Sequence, residues 1–213
     1  MKNVLKNFLL AIMAGFSISI GCVAFLASGD KAVGAAAFAV GLFMVVNFKF
    51  NLFTGKLCYA LDEKPSYILR LALIWFGNLL GALIAAGLMR LTRFDALVMA
   101  CKAVVSIKLS GSYLSAFVLG IFCNVLIYLS VEGYARFDNS VARFMALFFG
   151  VFIFVLCGFE HCVADMFYLA FAGEFTLKAL AFLCFVTLGN IFGGLLIPSV
   201  KKLTAALDKN AQK

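Results

Sequence analysis

The chain has 213 residues, of which 65% are hydrophobic and 13% charged, where a soluble domain is about 45–50% apolar; its mean hydropathy is +1.08. A soluble globular protein is excluded, and because a membrane-crossing helix needs about 20 mostly apolar residues, there is room for roughly six or seven spans and for no separate soluble domain. The charge of +8, from 18 Lys and Arg against 10 Asp and Glu, then serves orientation in the bilayer rather than nucleic-acid binding.

The first apolar run, 8–28, follows Lys2 and Lys6 and ends near Ala27-Ser28, which imitates a secretory signal. Everything downstream is equally membrane-like, so the run reads as a first span. Further runs of low charge lie at 33–60, 67–89, 112–133, 143–171 and 177–199, divided by polar clusters such as Ser28-Gly29-Asp30-Lys31 and Asp62-Glu63-Lys64-Pro65. Six spans put both termini on one side. Lys2, Lys6, Lys64, Arg70, Arg136, Arg143, Lys201, Lys202, Lys209 and Lys213 fall on that side, against Lys31, Arg90, Arg93, Lys102, Lys108 and Lys178 opposite. The cation excess predicts cytoplasmic termini.

The second and fifth runs are interrupted, one by Asn47-Phe48-Lys49-Phe50-Asn51 and by Thr54-Gly55-Lys56, the other by Gly158, Glu160, His161 and Asp165. Hydrocarbon cannot satisfy exposed NH and CO groups, so such segments persist only when buried in protein or lining a wet cavity. Two broken helices meeting at a polar centre are expected. The third and sixth runs share one pattern, Gly77-Asn78-Leu79-Leu80-Gly81 and Gly189-Asn190-Ile191-Phe192-Gly193. A duplicated chain with three spans per copy must place its second copy upside down, as transporters and channels with a midplane substrate path do. The expectation is one all-α integral membrane channel domain over 1–213, in inverted halves of about 1–100 and 101–213. Small-xxx-small spacing for close helix packing also accounts for the pattern.

His161 is the only histidine and sits mid-span, where an ionisable group points to function. It titrates near physiological pH and can offer a proton donor or a cation to a passing anion. Glu160 points about 100° away from it on a helix and is expected to face a backbone NH or a lysine as structural support. Asp165, four residues beyond His161, shares its helical face and is a candidate to act on the imidazole. Lys108, in the polar-flanked stretch Cys101–Ser112, reads by itself as a head-group cation. Thr54 offers a hydroxyl at a helix break beside Gly55. Seven cysteines, with no CxxC pair, read as small buried hydrophobes. With one histidine and no ligand spacing, no metal, haem or other cofactor is expected.

Three stretches resemble the formate/nitrite transporter family: Leu52-Phe53-Thr54-Gly55, similar to ELFTG in the broken second helix; Gly120-Ile121-Phe122-Cys123-Asn124-Val125, similar to GILCN; and Gly158-Phe159-Glu160-His161-Cys162-Val163-Ala164-Asp165-Met166, similar to GFEHSVANM in the broken fifth. They occur in the family's order over nearly the whole chain. The resemblance implies six helices in an aquaporin-like arrangement and a homopentamer with one pore per protomer. It implies transport of small weak-acid anions such as formate, nitrite or hydrosulfide, with protons, across a bacterial inner membrane, and no enzymatic activity. By resemblance His161 is the central pore histidine, Thr54 and Asn124 are pore residues, and Lys108, five residues before Tyr113, is the vestibule cation. Phe38, Leu42 and Phe154 match one apolar constriction, and Leu52 and Phe53 the other. Four residues depart from the pattern: Lys49 where glycine is common, Asn51 where an acid is usual, and Cys162 and Asp165 for the commoner Ser and Asn. The rival of similar architecture, an aquaporin-type neutral-solute channel, ordinarily shows paired NPA motifs, and neither Pro65 nor Pro198 lies in one.

Overall fold

The computed structural model describes residues 2–211 and is entirely helical among them; Lys213, counted above among the cations, lies outside the described residues. The helices are α1 (Lys2–Ala27), α2 (Lys31–Asn47), α3 (Phe53–Leu57), α4 (Tyr67–Arg90), α5 (Asp95–Ser110), α6 (Tyr113–Arg136), α7 (Ser140–Cys157), α8 (Cys162–Ala172) and α9 (Leu177–Ala211), with a 3-10 turn at Ala60–Asp62. Of these, α1, α4, α6, α7 and α9 are long and apolar enough to cross a membrane singly.

The second apolar run is divided into α2 and α3, the fifth into α7 and α8. The breaks correspond to the interruptions read from the sequence, with one correction. Thr54-Gly55-Lys56 does not interrupt the chain but lies inside α3, because the Asn78 side chain accepts from Phe53 N at 2.8 Å and starts a new helix there. A second correction concerns Cys101–Ser112: Cys101–Ser110 belongs to a sixteen-residue helix, α5, and Ser112 caps the start of α6.

The short segments lie at the centre and the long helices surround them. Every residue of α8 is buried, as are Phe53, Thr54, Gly55 and Leu57 of α3. The long helices expose large apolar side chains such as Leu69, Phe76, Phe122 and Phe192, as a surface bathed in lipid or covered by another apolar surface does.

Two buried asparagines close the breaks in matching ways. Asn78 of α4 donates to the carbonyls of Asn51 (2.9 Å) and Ala11 (2.8 Å) while its Oδ1 takes Phe53 N. Asn190 of α9 donates to the carbonyls of Glu160 (2.9 Å) and Gly120 (2.9 Å), and its Oδ1 accepts from Cys162 N at 2.9 Å. Each therefore joins the last carbonyl of a break, the first N–H of the next helix and a neighbouring long helix. The flanking glycines let those helices approach: a Cβ on Gly81 would collide with the Ile12 carbonyl, and one on Gly193 with the Ile121 carbonyl. Trp75 and Thr187, which stand 112 residues apart at corresponding places on α4 and α9, touch each other through Nε1 and Oγ1 at 3.3 Å.

Lys49, in the first break, has φ of 56°, the left-handed region in which an L side chain costs about 1 kcal/mol. That is the physical reason a glycine suits the position. Lys49→Gly is therefore expected to raise stability by about 1 kcal/mol. Asn78→Ala and Asn190→Ala each strand several buried backbone groups at about 1–3 kcal/mol apiece. Thermal unfolding of the detergent-solubilised protein should fall markedly in both alanine variants, and an unchanged midpoint would contradict this role of the asparagines.

Candidate functional site

The first break is anchored at its far end by Asn51. Its N–H donates to Leu10 O at 3.1 Å and its Nδ2 to Asn7 O at 3.2 Å, so an amide stands where a carboxylate would have no proton to give. Helix α3 then carries Thr54, wholly buried, one residue inside its start.

In the second break Gly158 ends α7 in the left-handed conformation at φ 73°, Glu160 N meets Leu119 O at 3.4 Å, and His161 becomes the N-cap of α8. Its Nδ1 accepts from Ala164 N at 3.2 Å, so Nδ1 presents a lone pair. The ring proton of the neutral imidazole is thereby assigned to Nε2, which lies 2.9 Å from Thr54 Oγ1. If Nε2–H donates to Thr54, the threonine hydroxyl proton remains available; among the described residues no acceptor takes it. Phe154 stacks on the imidazole with ring centroids 5.7 Å apart, and Phe38 meets Phe154 edge-on at the same separation. Leu42 is buried on α2, one turn beyond Phe38.

Two cavities flank this contact. One, of about 300 Å³, is lined by Lys31, Phe38, Lys108, Glu160, His161 and Asp165 among others. The other, of about 390 Å³, is lined by Val45, Lys49, Leu52, Lys56, Tyr134 and Arg143 among others. The first cavity follows α2 from Lys31 to Phe38 and the second begins at Val45, so their linings are separated by about 10 Å of helix.

Several expectations are corrected here. Lys108 is not a head-group cation: its Nζ is ion-paired with Glu160 Oε2, a lysine being one of the partners expected for that carboxylate, and, at 2.9 Å, with Asp165 Oδ1, and it lies 5.5 Å from the centre of the Tyr168 ring. Tyr113, the aromatic expected beside it, stacks on Phe185 instead. Asp165 is turned to Lys108 rather than to His161, because His161 caps the helix from outside it and the two do not share a helical face. Asn124 donates to Asn190 O at 2.7 Å and Thr54 O at 3.4 Å; it holds the backbone under the site and lines neither cavity. Leu52 lines the second cavity, whereas Phe53 packs into a separate groove with Leu57, Trp75 and Thr187.

Sequence reasoning missed the anchoring role of Asn78 and Asn190, although the repeated Gly-Asn-x-x-Gly was its visible sign. It also missed the pairing of Lys108 with Asp165, which are 57 positions apart and share no local pattern.

A family model, "Formate/nitrite transporter", matches residues 1–203. The uncharacterized transporter YrhG of Bacillus subtilis (strain 168) is 32% identical over 177 residues, covering 76% of this chain and 66% of that protein, so the chain spans just under two thirds of that relative's length. The nitrite transporter NirC of Salmonella typhimurium is 29% identical over 217 residues, covering 91% of this chain and 80% of NirC. Among solved structures, one described as a pentameric formate channel with formate bound superposes with a TM-score of 0.84 at 30% identity, covering 97% of this chain and 98% of that one. The chain belongs to the formate/nitrite transporter family.

Proposed function

We propose that the protein is a multi-pass membrane channel for small monovalent anions of weak acids, with formate as the first candidate. The observation that carries this reading is the contact between Thr54 and His161 at 2.9 Å, formed where two helix breaks meet between two cavities. It presents a hydroxyl proton between apolar side chains, Leu52 on one side and Phe38 and Phe154 on the other. The solved formate channel supports formate and a homopentamer, to which the family resemblance adds one pore per protomer; the NirC similarity keeps nitrite as the second candidate, with hydrosulfide beside it as a chemically similar ion.

The architecture we propose is six spans in two inverted, aquaporin-like halves, with α2–α3 and α7–α8 as the broken second and fifth. The matching hydrogen bonds of Asn78 and Asn190 support it. The cation asymmetry supports cytoplasmic termini; residence in a bacterial inner membrane rests on the family resemblance alone.

In mechanism, the cavity bearing Lys49, Lys56 and Arg143 attracts anions by its charge. An unaccompanied anion cannot cheaply shed water between Leu52 on one side and Phe38, Leu42 and Phe154 on the other. The Thr54 hydroxyl, whose oxygen accepts from His161 Nε2–H, turns its own proton to the anion and replaces part of that hydration, and transient protonation of the anion removes the remaining cost. For His161 to relay that proton, Nδ1 must first take one up and release Ala164 N–H, so relay through the ring is coupled to loosening of the α8 cap.

Variants at the two central residues test this. Asparagine is a good N-cap, so His161→Asn keeps α8 anchored while removing Nε2, and Thr54→Val keeps shape while removing the hydroxyl. Each should lower formate uptake into proteoliposomes by about tenfold or more, the equivalent of one hydrogen bond to a charged group. Unchanged proton-coupled uptake in His161→Asn would rule out the relay.

A further inference from the structure

The correspondence between α4 and α9 extends beyond their asparagines. Arg90 ends α4 twelve residues after Asn78, and Lys202 follows Asn190 on α9 by the same interval, so the two cations stand 112 residues apart, the spacing of Trp75 and Thr187. Each reaches a carbonyl at the far end of a broken-helix segment. Arg90 closes on Phe171 O, at the end of α8, with Nε at 3.1 Å and Nη2 at 2.7 Å. Lys202 Nζ donates to Leu61 O, in the 3-10 turn that follows α3, and pairs with Asp62 Oδ1 at 2.8 Å. Among the described residues no backbone N–H takes either carbonyl: Gly173 N and Glu174 N go to Ala170 O and Leu169 O, while Asp62 N and Glu63 N go to Tyr59 O and Ala60 O. Such orphan acceptors are what a helix end leaves, and a cation satisfies them with charge-assisted hydrogen bonds. Gly173 makes room for the guanidinium, since a Cβ there would stand 3.0 Å from Arg90 Nη2.

The ties are crossed. Asn78 of α4 fixes the start of α3 and Arg90 of α4 the end of α8; Asn190 of α9 fixes the start of α8 and Lys202 of α9 the end of the first segment. Each short segment is thus held at its start by the long helix of its own half and at its end by that of the other half. Tyr59 of the first segment is held across the halves as well, by Glu132 of α6 at 3.0 Å. Along α8, Lys108 of α5 is bound to Asp165, and among the described residues Arg90 is the only group of α4 that hydrogen-bonds this helix. Burial limits sideways movement of α8, while the bonds at its ends set its place along its own axis, and that place decides how far His161 stands from Thr54.

We propose, resting on the channel reading above, that Arg90 and Lys202 are positioning residues of the pore: through them each half of the chain holds the far end of the other half's short segment, which keeps the Thr54–His161 contact at its length of 2.9 Å. Neither cation lines the two cavities that flank the contact. Their loss therefore acts on the placement of the central groups and leaves the lining of both cavities as it is.

His161 is the only histidine, so the full chain without a histidine tag, labelled with nitrogen-15 histidine and solubilised in detergent, gives a single set of imidazole NMR signals. The Nε2 signal reports the bond to Thr54, and Thr54→Val, which removes that bond, supplies the reference. Arg90→Met keeps the length of the side chain without its donors; Tyr59→Phe combined with Lys202→Met frees the end of the first segment. In each, the Nε2 signal should move from its wild-type position toward that of Thr54→Val, and Arg90→Lys, which returns an ammonium to the carbonyl, should restore it in part. A loss of stability alone leaves the signal of the folded molecules where it was. An unmoved signal in folded Arg90→Met overturns the proposal, as does one in the double variant, which decides by itself if Arg90→Met does not fold.

In proteoliposomes the maximal rate of formate uptake by Arg90→Met should fall about tenfold, as an ångström-scale misplacement of a reacting group produces, with the half-saturating concentration unchanged. A raised half-saturating concentration with the maximal rate intact overturns the proposal, because Arg90 would then serve attraction of the anion rather than placement of the site. If the wild-type protein moves neither formate, nitrite nor hydrosulfide, the channel reading fails instead, and the imidazole signals alone decide whether the two cations hold the contact.

Discussion

A polypeptide that breaks a helix at membrane depth must find partners for the backbone groups it frees, since each unsatisfied group in hydrocarbon costs several kcal/mol. Here that requirement is met twice by an asparagine, which has an acceptor and two donors on one short side chain and can serve both edges of a break at once. Asn78 and Asn190 are wholly buried, and the glycines beside them admit α1 and α6 closely enough for the third bond in each set. The consequences run inward. Because Asn190 fixes Cys162 N, His161 sits just outside α8 and is drafted as its cap; because its Nδ1 is so used, its Nε2 faces Thr54, itself placed by the Asn78 bond to Phe53. The central polar contact is thus a by-product of how two helix ends are satisfied.

Charge is distributed less simply than the total of +8 suggests. At one end of α2 the cavity gathers Lys49, Lys56 and Arg143. At the other, the one lysine deep in the cavity is matched by two carboxyl groups, so it holds Glu160 and Asp165 in place and contributes little field of its own. On the proposed path an ion would meet two electrostatically different mouths, joined by a stretch where Phe154 stacks on His161 and Phe38 meets Phe154 edge-on. A buried ion pair of this type is weak evidence for stability, which makes its position lining a cavity the more informative fact.

Much of this was legible in the residue order. Apolar runs of span length, interrupted in the second and fifth, give the helices and both breaks, because hydrophobic length and mid-span polar groups are local signals. The Gly-Asn-x-x-Gly pair announced something repeated, yet not that the asparagines bind the breaks, since their partners lie up to 70 residues away. Helix α5 was half hidden because its sequence is the least apolar of the longer helices, with Asp95, Lys102 and Lys108 along it. The directions of Leu52 and Phe53 were not legible either: adjacent residues at a helix start face different neighbours, and motif position does not say which way each turns. Lys108 is the clearest case: the spacing to Tyr113 marked it as a vestibule cation and a lysine was among the partners expected for Glu160, yet nothing local showed that Asp165 would join the same ammonium.

The central claim is that this fold moves a weak-acid anion rather than a neutral solute, and uptake by the wild-type protein in proteoliposomes tests it most directly. Formate, nitrite and hydrosulfide would be compared with glycerol, each with and without an inward proton gradient. The account predicts strong uptake of at least one anion, formate foremost, accelerated by the gradient, with glycerol at the background of empty vesicles. Uptake of glycerol alone, or of none of the four, would contradict it.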